Sequence, residues 1–403
     1  MKKNNGWNNV PLDEVAKIYN GNSINKDVKT KKYANIVTGR NYIGTKDINF
    51  DGSVVYENGI KIPFEETNFK VAPAGSVFVC AEGGSAGKKT AYVNEEVCFG
   101  NKLFAIVCNN DIVLGKYLYY YTRSNLFYKQ FSSEKTGIIG GVSSKKFGQI
   151  KLPVPPISEQ ERIVARIEEL FSQLDKSVET LQKVKEQLAV YRQAVLKDAF
   201  AECKTWDKVT FGDLMLEVHN GYGKKPDDEG NNKILRISSV RAMNVDFSDY
   251  RLNKTTFSEN DIIHENDLLF TRYNGSVDYV GVCAFVPKHN EVFAYPDKII
   301  KCTPKYQNTI HSKYLQYYMN CGEARKYIRS KIKTTSGQNG IAGSDIKKTT
   351  VYIPDIIEQE KIVTYIESRM SSLESIEKTI SDLLQQAEAM RQSVLKQAFE
   401  GKL

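Results

Sequence analysis

One spacing dominates this sequence: 199 residues. The phrase Pro155-Pro-Ile-Ser-Glu-Gln-Glu-Arg-Ile-Val164 returns as Pro354-Asp-Ile-Ile-Glu-Gln-Glu-Lys-Ile-Val363, and Arg192-Gln-Ala-Val-Leu-Lys-Asp-Ala-Phe200 returns as Arg391-Gln-Ser-Val-Leu-Lys-Gln-Ala-Phe399. Both pairs share one offset, so the stretch between them aligns without a gap, and roughly twenty of its 46 positions are identical. Trp7 and Trp206, the two tryptophans, keep the same spacing and open similar phrases, Trp7-Asn-Asn-Val-Pro-Leu and Trp206-Asp-Lys-Val-Thr-Phe. Such a chain is one unit used twice, and 403 residues suit two or three domains. The order reads module, helix, module, helix, with expected bounds 1–152, 153–205, 206–352 and 353–403.

The helices follow from periodicity. Apolar residues recur at Ile163, Ile167, Leu170, Leu174, Val178, Leu181, Leu188, Tyr191, Val195 and Ala199. The second copy has Ile362, Ile366, Met370, Leu373, Ile376, Ile380, Leu383, Ala387, Met390 and Val394. Steps of three and four put each set on one stripe. Neither segment holds Gly or Pro for about 40 residues, which implies rods of about 60 Å. After the stiff Pro153-Val-Pro-Pro156, Ser158 with Glu161 reads as a capping box. The second copy has Ile357 at the Ser158 position, so its cap differs. A lone amphipathic rod needs a partner. Each helix packs on its own module, or the chain dimerises, or the two helices pair within the chain as an antiparallel coiled coil; the repeat favours the last, with pseudo-two-fold symmetry. Its contact residues are then Ile163, Ile167, Leu174, Leu181, Leu188, Val195, Ile362, Ile366, Leu373, Ile380, Leu383 and Val394.

The modules read as strand-rich, giving an α+β chain. Val54–Tyr56, Ser76–Val79 and Lys102–Val107 are strand candidates in the first, and Ile234–Ile237, Asp267–Phe270 and Val280–Val286 in the second. One helix per module is expected, around Lys116–Arg123 and Lys313–Met319. Each module also carries two Gly/Ser/Asn-rich loops: Ala81–Thr90 and Glu134–Lys146 in the first, Thr271–Ser276 and Lys331–Ala342 in the second. Glycines, donors and lysines mixed without a hydrophobic period imply exposed loops. Small residues beside basic ones suit contact with DNA phosphates and base edges, although a plain hairpin turn explains any single residue as well. The candidate DNA contacts are Ser85, Lys88, Lys89, Ser144, Lys145 and Lys146 in the first module, and Arg272, Tyr273, Asn274, Ser276, Lys333, Gln338 and Asn339 in the second.

Composition adds a weak tilt in the same direction. A formal net charge of +8 and a pI near 8.8 favour an acidic partner. Seven cysteines without C-x-x-C spacing read as small buried hydrophobes, and four histidines show no metal-ligand spacing. No secretory leader or membrane-length apolar run is evident, so a soluble cytoplasmic protein is expected. The loop at Ala81–Thr90 misses a phosphate-binding Walker pattern, with Glu82 for the first Gly and Lys89 for Ser or Thr. A nuclease pattern is met only loosely by Pro296-Asp297 with Asp345-Ile-Lys347. No nucleophile–base pair, metal set or methyltransferase signature is present, so no catalytic and no metal-binding residue is expected.

The phrase P-x-P-P-x-x-E-Q-x-x-I-V, the long helix behind it and the twofold use of the whole unit resemble the specificity subunits of Type I restriction-modification enzymes. The likeness spans essentially the full chain. It implies two target recognition domains, each reading one half of a split site in double-stranded DNA, and helices that set the spacing and dock two methyltransferase subunits. Those partners would hold S-adenosylmethionine and methylate adenine, with two motor-nuclease (restriction) subunits using ATP and Mg where present; no cofactor is expected on this chain. A stand-alone nuclease or ATPase, and a coiled-coil scaffold without DNA affinity, are the competing readings.

Overall fold

The structure, a computed structural model, describes residues 6–137, 140–201, 203–305, 308–335 and 337–403. It divides into two compact units. One holds the residues up to Gln182 with Ser381–Leu403, the other Lys183–Ile380. Each therefore takes one module and a part of both long helices.

In the first unit a four-stranded antiparallel sheet has the order Ala16–Asn20, Leu103–Cys108, Val77–Cys80, Thr90–Tyr92. Val77 to Cys80 is buried throughout, and the strand period of two divides it. Val77 and Val79 face a core that includes Tyr117, Tyr121, Phe127 and Phe131 from two helices. Phe78 and Cys80 face a second core with Ile43, Val97 and Phe99. A mixed sheet supplies that side, ordered Lys61–Ile62, Arg40–Ile43, Val97–Phe99, Val71–Ala72.

The second unit repeats the plan. Its antiparallel sheet runs Met215–Asn220, Ile299–Pro304, Leu268–Thr271, Cys283–Phe285. Leu268 and Phe270 face the helices, and Leu269 faces the opposite core. A three-stranded sheet, Tyr250–Asn253, Asn232–Leu235, Phe293–Ala294, lies on that side. The phrases after the two tryptophans also match in register: Asn8–Pro11 pairs with Lys151–Val154 through Val10↔Leu152, and Asp207–Thr210 pairs with Thr350–Ile353 through Val209↔Val351. Each closes its module directly before a long helix.

Several expectations need correction. Each module carries two consecutive helices beside its sheet, Gly115–Thr122 with Asn125–Ser133 and Ser312–Met319 with Gly322–Lys331. Ser124 starts the second of these, its hydroxyl accepting from Phe127 N–H at 3.2 Å. Val54–Tyr56 forms no strand; Val54 makes an isolated bridge to Ile48. Within Val280–Val286 the strand is only Cys283–Phe285.

The long helices span Ile157–Ala199 and Ile356–Phe399. Ser158 is not the cap, because the helix starts before it and the Pro156 carbonyl takes Glu159 N–H and Gln160 N–H at 2.9 and 3.0 Å. The second copy has Asp355 in place of Pro156, and its carboxylate accepts Glu358 N–H at 2.9 Å. What both starts share is a buried glutamine. Gln160 accepts Leu114 N–H at 2.9 Å and donates to the carbonyls of Ile112 and Pro155 at 2.8 and 2.9 Å. Gln359 accepts His311 N–H at 2.9 Å and donates to Thr309 and Pro354 at 3.0 and 2.9 Å. The Gln of the E-Q phrase thus ties each helix to the chain entering its module's helix pair.

The paired segments run antiparallel inside each unit. In the first, Arg162 donates to the Leu403 carbonyl at 2.7 Å and Arg391 pairs with Asp175. In the second, Tyr365 donates to Asp198 at 2.8 Å and Arg192 pairs with Glu377 at 2.9 Å. The closing phrase is explained by aromatic packing. Phe399 meets Tyr117 and Tyr121 edge-on, ring centres 5.2 and 5.1 Å apart, and Phe200 meets Tyr314 and Tyr318 at 5.5 and 5.3 Å. Of the expected stripe, Ile163, Ile167, Leu188, Val195, Ile362, Ile366, Leu373 and Ile380 are buried, and Leu174, Leu181 and Val394 are half-buried. Leu383 is a correction: it is 41% exposed, because the turn after Ile380 places Leu384 and then Ala387 inward. Tyr191, Ile376 and Met390 also face outward.

Candidate nucleic-acid interface

The two loops of each module, distant in sequence, meet in the fold on a shared frame. In the first module the strand Val77–Cys80 ends at a loop closed by Gly87 N–H donating to the Cys80 carbonyl at 2.9 Å; Val142 N–H, from the other loop, donates to Ala81 at 3.1 Å. In the second, Gly281 N–H donates to Thr271 at 2.7 Å and Ile341 N–H to Arg272 at 3.0 Å. Both closing glycines have positive φ, +73° and +68°, and lie against the second helix of the pair. A Cβ there would sit 2.3 Å from Phe131 in one module and 2.4 Å from Ile328 in the other. Between the matching bonds the first module spends residues 81–86 and the second 272–280. The frame is constant, while the enclosed loop differs in length and chemistry.

In the first module Lys88 is exposed, with its ammonium 6.0 Å from the centre of the Tyr128 ring. Lys89 is half-buried, donates to the Thr45 carbonyl at 3.2 Å and lies 5.2 Å from the Phe50 ring. Ser85 is half-buried, and its carbonyl takes Lys88 N–H at 3.0 Å. Ser144, Lys145 and Lys146 lie exposed on a short helix capped by Ser143, and Lys146 pairs with Glu134 at 3.4 Å. Lys135, absent from the sequence-derived set, joins Lys88 at the Tyr128 ring, 5.2 Å from its centre. Ile138 and Ile139 of this loop lie outside the described residues, as does Ser336 of its counterpart.

The second module draws its candidates into one ribbon. Tyr273–Asn274 pairs with Gln338–Gly340, which pairs with Lys333–Thr335. The segment expected as an exposed loop is therefore part of a three-stranded sheet, and Asn339, Gly340 and Ile341 are buried. Asn339 is a correction as a base-reading residue. It is 8% exposed, and its amide donates to the Gly275 carbonyl at 2.9 Å and accepts from Thr334 at 2.7 Å. Arg272 is half-buried, donates to the Asp297 carbonyl at 3.2 Å and lies over Tyr273 at 4.8 Å. Tyr273 itself covers Gly340. Asn274 is half-buried and accepts Ser276 N–H at 3.0 Å, while Ser276, Lys333 and Gln338 are exposed.

Sequence reasoning missed the arginines that surround this ribbon. Arg325 donates to the carbonyls of Val280 and Asp278, both at 2.8 Å, and Arg329 pairs with the Asp278 carboxylate at 2.9 Å. Burial, helped by the Arg329 charge, pushes the Arg325 guanidinium down to about 10, so it stays protonated near neutral pH. Helical spacing of four residues was the available signal, but nothing in the sequence links this helix to residues 278–280.

The near-miss motifs do not assemble. A Walker loop delivers its lysine at the start of a helix, whereas Lys88 and Lys89 lead into the strand Thr90–Tyr92. Asp345 lies on the five-residue helix Gly343–Lys347 rather than on a strand. Among the described residues no group of three or more His, Cys, Asp or Glu is placed to hold a metal ion.

A family model described as "Type I restriction modification DNA specificity domain" matches residues 4–188 and again 203–386. The chain belongs to this family. The two matches are the two copies of the repeat. Similar specificity-domain proteins include the Type I restriction enzyme EcoKI specificity subunit of Escherichia coli (strain K12), 29% identical over 99% of this chain and 89% of that protein. The StySPI specificity subunit of Salmonella potsdam is 26% identical over the same shares. Among solved structures, a chain from work on complex assembly and conformational transition of the type I R-M system has a TM-score of 0.78, with 17% identity over 100% of both chains. The HsdS subunit from Thermoanaerobacter tengcongensis has a TM-score of 0.58, also at 17% identity, over 100% of this chain and 99% of that one.

Proposed function

We propose that this chain is the DNA sequence-reading subunit of a Type I restriction-modification complex, each module reading one half of a bipartite site. The observation that carries this is the constant frame holding unlike loops. The same two backbone bonds and the same buried glycine recur in both modules, but the enclosed residues differ in number and charge. Two half-sites of different sequence require that combination.

Exposed Lys88, Lys145, Lys146 and Lys333 would bind phosphates, a term that falls with salt. Half-buried Arg272 and exposed Gln338 are the proposed base contacts of the second module. The chain itself would be non-catalytic. Two methyltransferase subunits, docked through the long helices, would carry S-adenosylmethionine, and two restriction subunits would use ATP and Mg. No helix among the described residues is long and apolar enough to cross a membrane; a DNA-reading role would place the chain in the cytoplasm.

The test is a module exchange. Replacing residues 1–152 with the matching module of a relative, in the presence of its methyltransferase, should change one half of the methylated site and keep the other. A hybrid that methylates the original site unchanged would refute the reading.

A further inference from the structure

In the second module five consecutive residues, Gly275-Ser-Val-Asp-Tyr279, are all exposed, yet the segment is fastened at every side. Asn339 holds the Gly275 carbonyl, Asn274 holds Ser276 N–H, and Ser276 in turn accepts Asp278 N–H at 3.4 Å. From the neighbouring helix, Arg325 holds the carbonyls of Asp278 and Val280, and Arg329 holds the Asp278 carboxylate. Gly281 anchors the far end to Thr271.

Ser276 bonds within the segment and the Asp278 carboxylate pairs with Arg329 at the surface, while Val277 and Tyr279 are 39% and 45% exposed. Arg241 lies over the Tyr279 ring at 4.8 Å, and the charge of Arg329 beside the tip is matched by the exposed Asp278 carboxylate. Through Asn339 and Gly275 the tip is carried on the ribbon that holds Gln338, and the Arg241 guanidinium beside it favours an anionic partner. Arg325 is committed to two backbone carbonyls of this segment.

Resting on the reading of this chain as a DNA-recognition subunit, we propose that residues 275–279 are a preformed reading element for the second half-site. Val277 and Tyr279 contact base edges by apolar packing, and Arg325, with Asn339, acts as a positioning residue. The first module cannot share the device, since the equivalent helix positions are Tyr128 and Ser132 and its loop is shorter.

The test uses the full chain in complex with its methyltransferase and compares binding to cognate DNA with duplexes altered in one half-site. Changing Val277 and Tyr279 together to serine alters only exposed side chains. It should lower discrimination at the second half-site about tenfold, with the first half-site unchanged. Arg325→Met should relax the same half-site, and hydrogen exchange should quicken at residues 276–280. Full discrimination in the serine double variant, or equal loss at both half-sites, would overturn the proposal. If the unmodified complex distinguishes neither half-site, the broader reading fails instead, so the two failures can be told apart.

Discussion

Replacing Gln160 by alanine removes three hydrogen bonds at the point where the first long helix leaves its module. The cost depends on what each former partner can do next. The Ile112 carbonyl belongs to an exposed residue and regains water cheaply. The Pro155 carbonyl and Leu114 N–H belong to buried and half-buried residues, and the glutamine itself is fully buried. Each group left unsatisfied costs about 1–3 kcal/mol, so with two of them the substitution should destabilise the first unit by about 2–6 kcal/mol. Gln160→Glu should cost at least as much, because a fully buried carboxylate keeps an acceptor for Leu114 but faces two carbonyl oxygens with no donor. With two compact units, unfolding need not be a single transition. Denaturant titration should therefore be paired with hydrogen exchange, read at residues 112–118 and 155–165. Gln359→Ala should act equally at 309–315 and 354–364. A loss below about 1 kcal/mol, with unchanged exchange at those amides, would refute the idea that this glutamine is the clasp preserved by the repeat.

Further outcomes follow from the same geometry. Gly281→Ala puts a Cβ 2.4 Å from Ile328 at a φ of +68° and should cost upwards of about 1 kcal/mol in thermal unfolding, as should Gly87→Ala against Phe131; a loss near zero would contradict the frame. Lys88→Ala and Lys145→Ala should each reduce the salt dependence of DNA binding by about one phosphate contact while leaving sequence preference intact; an unchanged slope would remove that lysine from the interface. Burial, with the Lys313 charge acting in the same direction, holds His311 below the ordinary histidine range. The unfolded chain thus takes up that proton first, so stability from this group is present above the ordinary value near 6.5 and is lost as pH falls below it. His311→Gln should flatten that part of the stability profile, and an unaltered profile would contradict the assignment.

The repeat and both long helices were legible because their signals are local or self-referential: a constant offset and a 3.6-residue period. What escaped was non-local. The pairing of Asn8–Pro11 with Lys151–Val154 spans almost the whole module, and no local pattern announces it. Helix registers were readable only to within a residue, as Leu383 and Leu384 show, since both are apolar and packing alone chooses between them. At the site, Gly/Ser composition marked the loops, and their meeting on one frame came from the fold. Asn339 looked like a base reader because amide side chains suit adenine, yet the same donors and acceptors let it bond inward. Val277 gave no signal, and the four-residue spacing of Arg325 and Arg329 marked a helix face without its partner, since the proposed roles exist only once helix and loop are side by side.

The central claim is that two unlike modules on one frame read two unlike half-sites. The most direct test is methyladenine mapping across the genome of a host that carries this chain with its methyltransferase. The predicted result is a single bipartite motif with an unread gap, and a change confined to one half when residues 272–280 are exchanged. A continuous motif, or a loop exchange that leaves both halves intact, would contradict it.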